Sequence, residues 1–111
     1  MNQSAEDQAF ELDGFELVPL KRPTSSPPLS DEEAEHLQAR HIAHLVEQTR
    51  LGNMRVPGPI NEQQDKPLRG LCLYKAGSLE RARELASGDP SVVVGRLELD
   101  VMYFYCPTGS I

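Results

Sequence analysis

The order in which two hydrophobic periodicities alternate is the strongest constraint on the fold of this 111-residue chain. Residues 15–20 alternate with the two-residue period of a strand, and residues 31–51 carry an apolar stripe at helical spacing. The further predicted elements are a short strand at 53–56, a strand at 68–74, a helix between Ser78 and Gly88, and a strand at 96–105. This βαββαβ order with right-handed crossovers predicts an α+β, ferredoxin-like sandwich, in which both helices cover one face of a four-stranded antiparallel sheet.

Local signals mark several boundaries of these elements. Ser30 and Glu33 form a capping-box pattern at the start of the first helix, and Gly52 ends that helix. Pro19 has no N–H to donate to a ladder, so we expect it at an edge position or a bulge. Gly70 in the third strand indicates a bulge or a close approach of two backbones.

The predicted sheet has two apolar faces but only enough helices to cover one of them. Met102, Phe104 and one face of the third strand are apolar positions that the helices would leave uncovered. We therefore expect a homodimer in which the sheets of two copies pack face to face.

Composition restricts the partners and the location. The net charge is −6, and five acidic residues precede the first basic residue, Lys21. We expect a flexible acidic tail over residues 1–13, one folded domain over 14–106 and a short tail over 107–111. The remainder is nearly neutral with no basic stripe, so nucleic-acid binding is not expected. The sequence has no signal-peptide pattern and no apolar run approaching about 18 residues, which predicts a cytoplasmic protein without a membrane partner.

The two cysteines are too few for a disulfide scaffold. Cys72 and Cys106 fall on predicted strands that are not neighbours in this topology, so we do not expect a bond between them. A catalytic cysteine is not expected either, because nothing in the pattern places His41 beside a thiol.

His41 and Asp89 are the candidate catalytic residues. A carboxylate that accepts the proton on one imidazole nitrogen fixes the tautomer and leaves the other nitrogen free as a base. For His41 the structural alternative is a core histidine satisfied by a backbone carbonyl, since it shares a stripe with Leu37 and Leu45. For Asp89 it is an N-cap for a turn that starts at Pro90, and both roles are compatible because a carboxylate has two oxygens.

His44 lies one helical turn from His41, and His36 is on the same helix, but a metal site would need a third convergent ligand. The sequence has no HExxH motif and no nearby cysteine pair, so we expect neither a metal nor another cofactor.

Gly58, between Pro57 and Pro59, indicates a rigid turn, with backbone amides open to a small anion as the functional alternative. The three tyrosines, Tyr74, Tyr103 and Tyr105, are expected in the sheet, where one of them could donate a proton inside a pocket.

The spacing of these motifs resembles the YciI-like proteins (YCII-related domain) over roughly residues 15 to 105. His41 stands 11 residues before Gly52, Gly58-Pro59 follows, and the run from Ser78 to Pro90 resembles the family block S-L-E-x-A-x-x-x-A-x-x-D-P. The chain departs from the family in its longer acidic extension before Phe15.

The resemblance implies a ferredoxin-like fold that pairs into a dimeric α/β barrel, similar to muconolactone isomerase, with a pocket that holds His41 and Asp89. Some relatives are dehydrochlorinases of aromatic degradation. The expected function is therefore proton abstraction, of the isomerase, lyase or dehydrochlorinase type, from a small organic or aromatic acid. The alternatives are a non-catalytic dimeric module that binds or senses a small ligand, and a structural protein that docks through its acidic tail.

Overall fold

The computed structural model describes residues 11–61, 64 and 66–111. Its elements, in chain order, are β1 (Leu12–Lys21), α1 (Asp31–Arg50), β2 (Met54–Pro59), β3 (Leu68–Tyr74), α2 (Leu79–Ala86), α3 (Pro90–Val93), β4 (Glu98–Leu99) and β5 (Met102–Pro107). Among the described residues, none of the helices combines the length and the apolar composition needed to cross a membrane.

The sheet is antiparallel, with the strand order β2-β3-β1-β4 and with β5 also paired to β1. Leu20 faces Leu99 of β4, and Leu17 faces Met102 of β5, so the two short strands keep one register along the same edge of β1. They are two halves of the single strand that the sequence predicted at 96–105. The α+β architecture with an antiparallel sheet is therefore confirmed and is compatible with a ferredoxin-like fold.

Pro19 explains why the edge strand is divided. It lies in β1, which has neighbours on both sides, so the expectation of an edge position or a bulge at this residue was wrong. Its carbonyl accepts a hydrogen bond from the Asp100 amide at 3.3 Å, but the reciprocal bond cannot form because proline has no N–H. The interruption falls on the partner strand, at the residues opposite the proline.

Strands β2 and β3 approach each other closely beside Gly70. The pairing of β1 with β3 steps from Leu20 opposite Gly70 to Lys21 opposite Leu68, which leaves Arg69 as the extra residue of an irregularity in the ladder. A Cβ on Gly58 would lie 2.7 Å from the Leu71 carbonyl oxygen, so only glycine fits there. The irregularity expected at Gly70 thus falls on the adjacent Arg69, and the close approach falls on Gly58, since a Cβ on Gly70 would lie an ordinary 3.4 Å from the Gly58 carbonyl oxygen.

The main core lies between the helices and one face of the sheet. Its buried members are Val18, Leu20, Met54, Cys72, Tyr74, Ala82, Ala86 and Leu97. On α1, the buried residues are Leu37 and His41, so this helix turns its candidate catalytic histidine toward the sheet.

Strand pairing reaches the residues next to both of the expected domain boundaries. Residues 1–10, most of the predicted acidic tail, lie outside the described residues. Leu12 and Asp13 belong to β1, where they face Pro107 and Cys106 of β5. The division into tails and one domain stays a prediction, with strand pairing beginning at Leu12 and reaching Pro107.

The helix that carries His41 begins at a reciprocal cap, as predicted. The Ser30 hydroxyl accepts the Glu33 amide at 3.1 Å, and the Glu33 carboxylate accepts the Ser30 amide at 3.1 Å. Ser30→Ala should lower the free energy of unfolding by about 1 kcal/mol, measured by urea denaturation, because it leaves a helix N-terminal amide without its partner. Ser87→Ala, at an exposed serine beyond the end of α2, is the matched control. Equal destabilisation by both substitutions would contradict the role of the cap.

Candidate active site

His41 and Asp89, which are 48 residues apart in sequence, are in direct contact. The Nδ1 atom of His41 lies 2.5 Å from Oδ2 of Asp89. Both residues are buried, with 9% of the His41 surface and 2% of the Asp89 surface exposed. The pair that the sequence analysis singled out therefore exists in the fold.

Asp89 has a second partner that fixes its position. Its Oδ1 accepts a hydrogen bond from the Ser91 amide at 2.9 Å, and Pro90 occupies the first turn of α3. The carboxylate is thus both the N-cap of α3 and the partner of His41, so the two roles weighed for it coexist. With Nδ1 donating to the carboxylate, the imidazole lone pair is left on Nε2.

The imidazole lies in the wall of a large cavity. The cavity volume is about 930 Å³, which is enough for a small organic molecule. Helix α1 contributes an apolar wall, β2 and β3 contribute the sheet side, and Ser91 lies beside the dyad. Within the described residues, Nε2 of His41 makes no hydrogen bond. The alternative of a core histidine satisfied by a backbone carbonyl does not match this environment.

Gly58 lies in a strand of this wall. Pro57, Gly58 and Pro59 continue β2 and face Cys72, Leu71 and Gly70 of β3, so the expectation of a rigid turn was wrong. The hydrophobic pattern did not reveal this extension because the two prolines read as turn signals, whereas β2 is an edge strand that tolerates them.

Cys72 lines the same cavity as His41, a proximity that the sequence pattern did not indicate. Burial raises the pKa of the Cys72 thiol to about 11, and a backbone hydrogen bond from Gly58 offsets only part of this shift. The nucleophilic form of cysteine is the thiolate, so Cys72 is not activated at neutral pH. Cys72 and Cys106 are both free, on strands β3 and β5 that flank β1 on opposite sides, as predicted.

The other two histidines of α1 differ from His41. His36 is exposed, and the Nε2 atom of the half-buried His44 has no hydrogen-bond partner among the described residues. Among all residues that the structure describes, no group of three or more His, Cys, Asp or Glu side chains is arranged to hold a metal.

The tyrosines lie away from the cavity. Tyr74 is buried in the main core, where burial raises its pKa well above the usual value. Tyr103 and Tyr105 are about half exposed, with ring centroids 5.9 Å apart. None of the three lines the cavity, so no tyrosine is positioned there as a proton donor.

Arg22, Arg69 and Arg96 are among the cavity residues that the sequence did not single out. Arg22 follows β1, Arg69 is near the start of β3 and Arg96 precedes β4. In an antiparallel sheet with β1 between β3 and β4, the end of β1 meets the starts of its neighbours. The predicted strand order could therefore have indicated that these three arginines lie close together. A search for basic residues along one continuous segment does not find such a cluster.

The surroundings of His44 make stability depend on pH. The pKa of His44 is lowered from its ordinary 6.5 because burial disfavours the charged ring; Asp89 opposes this shift and His41 adds to it. The unfolded chain therefore binds a proton at His44 at a higher pH than the folded chain. This contribution to stability is present above pH 6.5 and is lost as the pH falls below that value.

We predict that the free energy of unfolding, measured by urea denaturation, falls less between pH 7 and pH 5 in His44→Gln than in the wild type. His36→Gln, at an exposed position of the same helix, should keep the wild-type dependence. A His44→Gln variant with the same pH dependence as the wild type would contradict this interpretation.

Comparison with known proteins places the chain in a family. Among the solved structures it resembles 5-chloro-2-hydroxyhydroquinone dehydrochlorinase (TftG) from Burkholderia phenoliruptrix, in complex with 2,5-dihydroxybenzoquinone. The TM-score is 0.54 at 19% identity, over 81% of this chain and 90% of that chain, which shows a shared fold. No curated protein gives a significant match. The YCII-related domain matches residues 18–104, so the chain belongs to the YCII-related domain family.

Proposed function

We propose that this protein is an enzyme that removes a proton from a small organic or aromatic acid, with His41 as the general base. The proposal rests on the different surroundings of the two imidazole nitrogens of His41. Nδ1 is hydrogen-bonded to the buried carboxylate of Asp89, which leaves Nε2 as the free nitrogen of a ring that lies in the wall of the cavity. A base must come within hydrogen-bond reach of the proton that it removes, and a ligand in this cavity would meet that condition at Nε2.

Asp89 acts through the imidazole. When Nε2 takes a proton, the ring becomes positively charged, and the adjacent carboxylate stabilises that charge. Because Asp89 is only 2% exposed, water screens this interaction weakly. Asp89 is therefore a positioning and charge-stabilising residue.

Two outcomes follow from proton removal, and both balance without an external oxidant. In an isomerisation, the proton returns to a different atom of the same ligand. In an elimination, the electron pair released by deprotonation expels a leaving group as an anion, and the net loss is a proton plus that anion. The dehydrochlorination named for the structural neighbour is an elimination of HCl, so 5-chloro-2-hydroxyhydroquinone is a reasonable first substrate to test.

We predict that His41→Gln lowers the rate of proton removal by about 10²- to 10⁴-fold. The assay follows chloride release from 5-chloro-2-hydroxyhydroquinone and, in D₂O, hydrogen exchange on a panel of aromatic and 2-oxo acids. His36→Gln, on the exposed face of the same helix, is the matched control and should keep the wild-type rate.

A His41→Gln variant that turns over as fast as the wild type would exclude His41 as the base. A ligand that binds the wild type and the variant equally, with no exchange or product in either, would favour the non-catalytic ligand-binding alternative.

We further propose a homodimer formed through the sheet face opposite the helices. On that face, Leu17 is opposite both Leu73 and Met102, and Phe15 is opposite Phe104, so apolar side chains run across three strands. Leu71, Met102 and Phe104 are each at least 36% exposed. A second copy fits because an apolar patch that crosses the middle of the sheet can pair with itself about a two-fold axis.

Analytical ultracentrifugation at micromolar concentration should show a dimer that Phe104→Glu converts to a monomer, since the substitution would bury a charge in the interface. Tyr103→Glu changes the adjacent, comparably exposed residue on the other face and should leave the dimer intact. A wild-type monomer would contradict the proposal, as would equal dissociation by both variants.

A further inference from the structure

The cavity that holds His41 has a strongly basic end. Arg22, Arg69 and Arg96 line it together. They come from three separate segments that the sheet brings side by side: the residue after β1, the irregular position at the start of β3, and the segment before β4. The clustering is therefore a consequence of register and is invisible in the linear charge pattern.

The three arginines are close enough to affect one another. The pKa of Arg22 is lowered first by burial and then by the positive charges of Arg96 and Arg69. The Nε atom of Arg22 is buried and has no hydrogen-bond partner among the described residues. A cluster of like charges that includes an unsatisfied buried donor costs free energy, and a bound anion would offset this cost by pairing with the charges.

The protein does not supply that anion from the part of the chain that the structure describes. The ion pairs found there join His41 to Asp89, Arg50 to Glu47, Arg81 to Glu84 and Arg83 to Asp100. Nη1 of Arg96 donates a long hydrogen bond, 3.4 Å, to the Pro27 carbonyl oxygen. Glu35 is the acidic residue that lines the cavity, and it is exposed on α1.

The dyad and the arginines occupy different regions of one cavity. Cys72 marks the dyad region, because the charge of Asp89 acts on its thiol, and it pairs with Val18 of β1. From Val18 to Lys21, the last residue of β1, the strand rises by about 10 Å at about 3.3 Å per residue, and Arg22 follows directly. A ligand that spans the cavity thus meets positive charge at one end and a base at the other.

We propose that Arg22, Arg69 and Arg96 form the binding site for an anionic group of the ligand, a carboxylate above all, and so orient its opposite end toward His41. Guanidinium groups suit this task because they bind a carboxylate with two parallel hydrogen bonds and stay charged when partly buried. The site also explains how a protein of net charge −6 would attract an organic acid: a local basic field overrides the overall repulsion at the cavity mouth. The orienting role rests on the proposed function, whereas anion binding itself does not.

Benzoate and benzamide are the probes that test this site, because they match in size and shape and differ by one negative charge. Binding is measured by NMR titration at low ionic strength. We expect the wild type to bind benzoate at least about tenfold more tightly than benzamide, since a charge-assisted hydrogen bond supplies at least that factor. Arg69→Gln and Arg96→Gln should each reduce this preference several-fold; Arg22, whose Nε atom is buried, is left unchanged in this test.

Arg81→Gln is the matched control, because it makes the same charge change on α2, outside the cavity. It should keep the wild-type preference. No preference for benzoate in the wild type, or an unchanged preference in both Arg69→Gln and Arg96→Gln, would overturn the anion site. If the anion site is correct but the proposed function is wrong, the wild type will still prefer benzoate to benzamide and will show no turnover of any acid tested.

Discussion

The buried contact between His41 and Asp89 is the interaction on which the rest of this account depends. A carboxylate that is only 2% exposed costs free energy unless its oxygens find partners, and Asp89 has one on each oxygen. One partner, the Ser91 amide, starts the short helix α3. The other, the imidazole of His41, belongs to α1. The same carboxylate thus ties α3 to α1 and sets the orientation of the ring that lines the cavity.

The cavity also shows how weakly overall composition describes a site. The chain is acidic as a whole, yet the cavity beside His41 gathers Arg22, Arg69 and Arg96 at one end. The strand pairing produces this contrast, because it joins positions that are distant in sequence. Local charge and hydrogen bonding, rather than net charge, decide what a pocket of this kind can bind.

Much of the fold followed from the sequence because it depends on short-range signals. The reciprocal cap of Ser30 and Glu33 and the order of periodicities need only neighbouring residues to be recognised. Pro19 shows where this reasoning fails: whether a proline lies in an edge or a central strand depends on which strands become its neighbours. Pro57 and Pro59 caused the opposite error, because they are typical turn signals although they lie in an edge strand.

The candidate site divides in the same way. His41 and Asp89 could be paired in advance because the spacing of several motifs matched a family, whereas sequence separation alone says nothing about contact. The arginines lie where the end of β1 meets the starts of β3 and β4, so the predicted topology could have brought them together, whereas the linear charge pattern could not. The role of Cys72 also needed the structure, since its place in the cavity indicates reactivity and its burial argues against it.

The tautomer of His41 is the most direct test of the central claim, and ¹⁵N NMR of the imidazole at a pH where the ring is neutral measures it. We expect a proton on Nδ1, an unprotonated Nε2, and a change of this pattern in Asp89→Asn. A proton on Nε2 in the wild type would contradict the account, because no lone pair would then remain on the nitrogen that the proposed base uses.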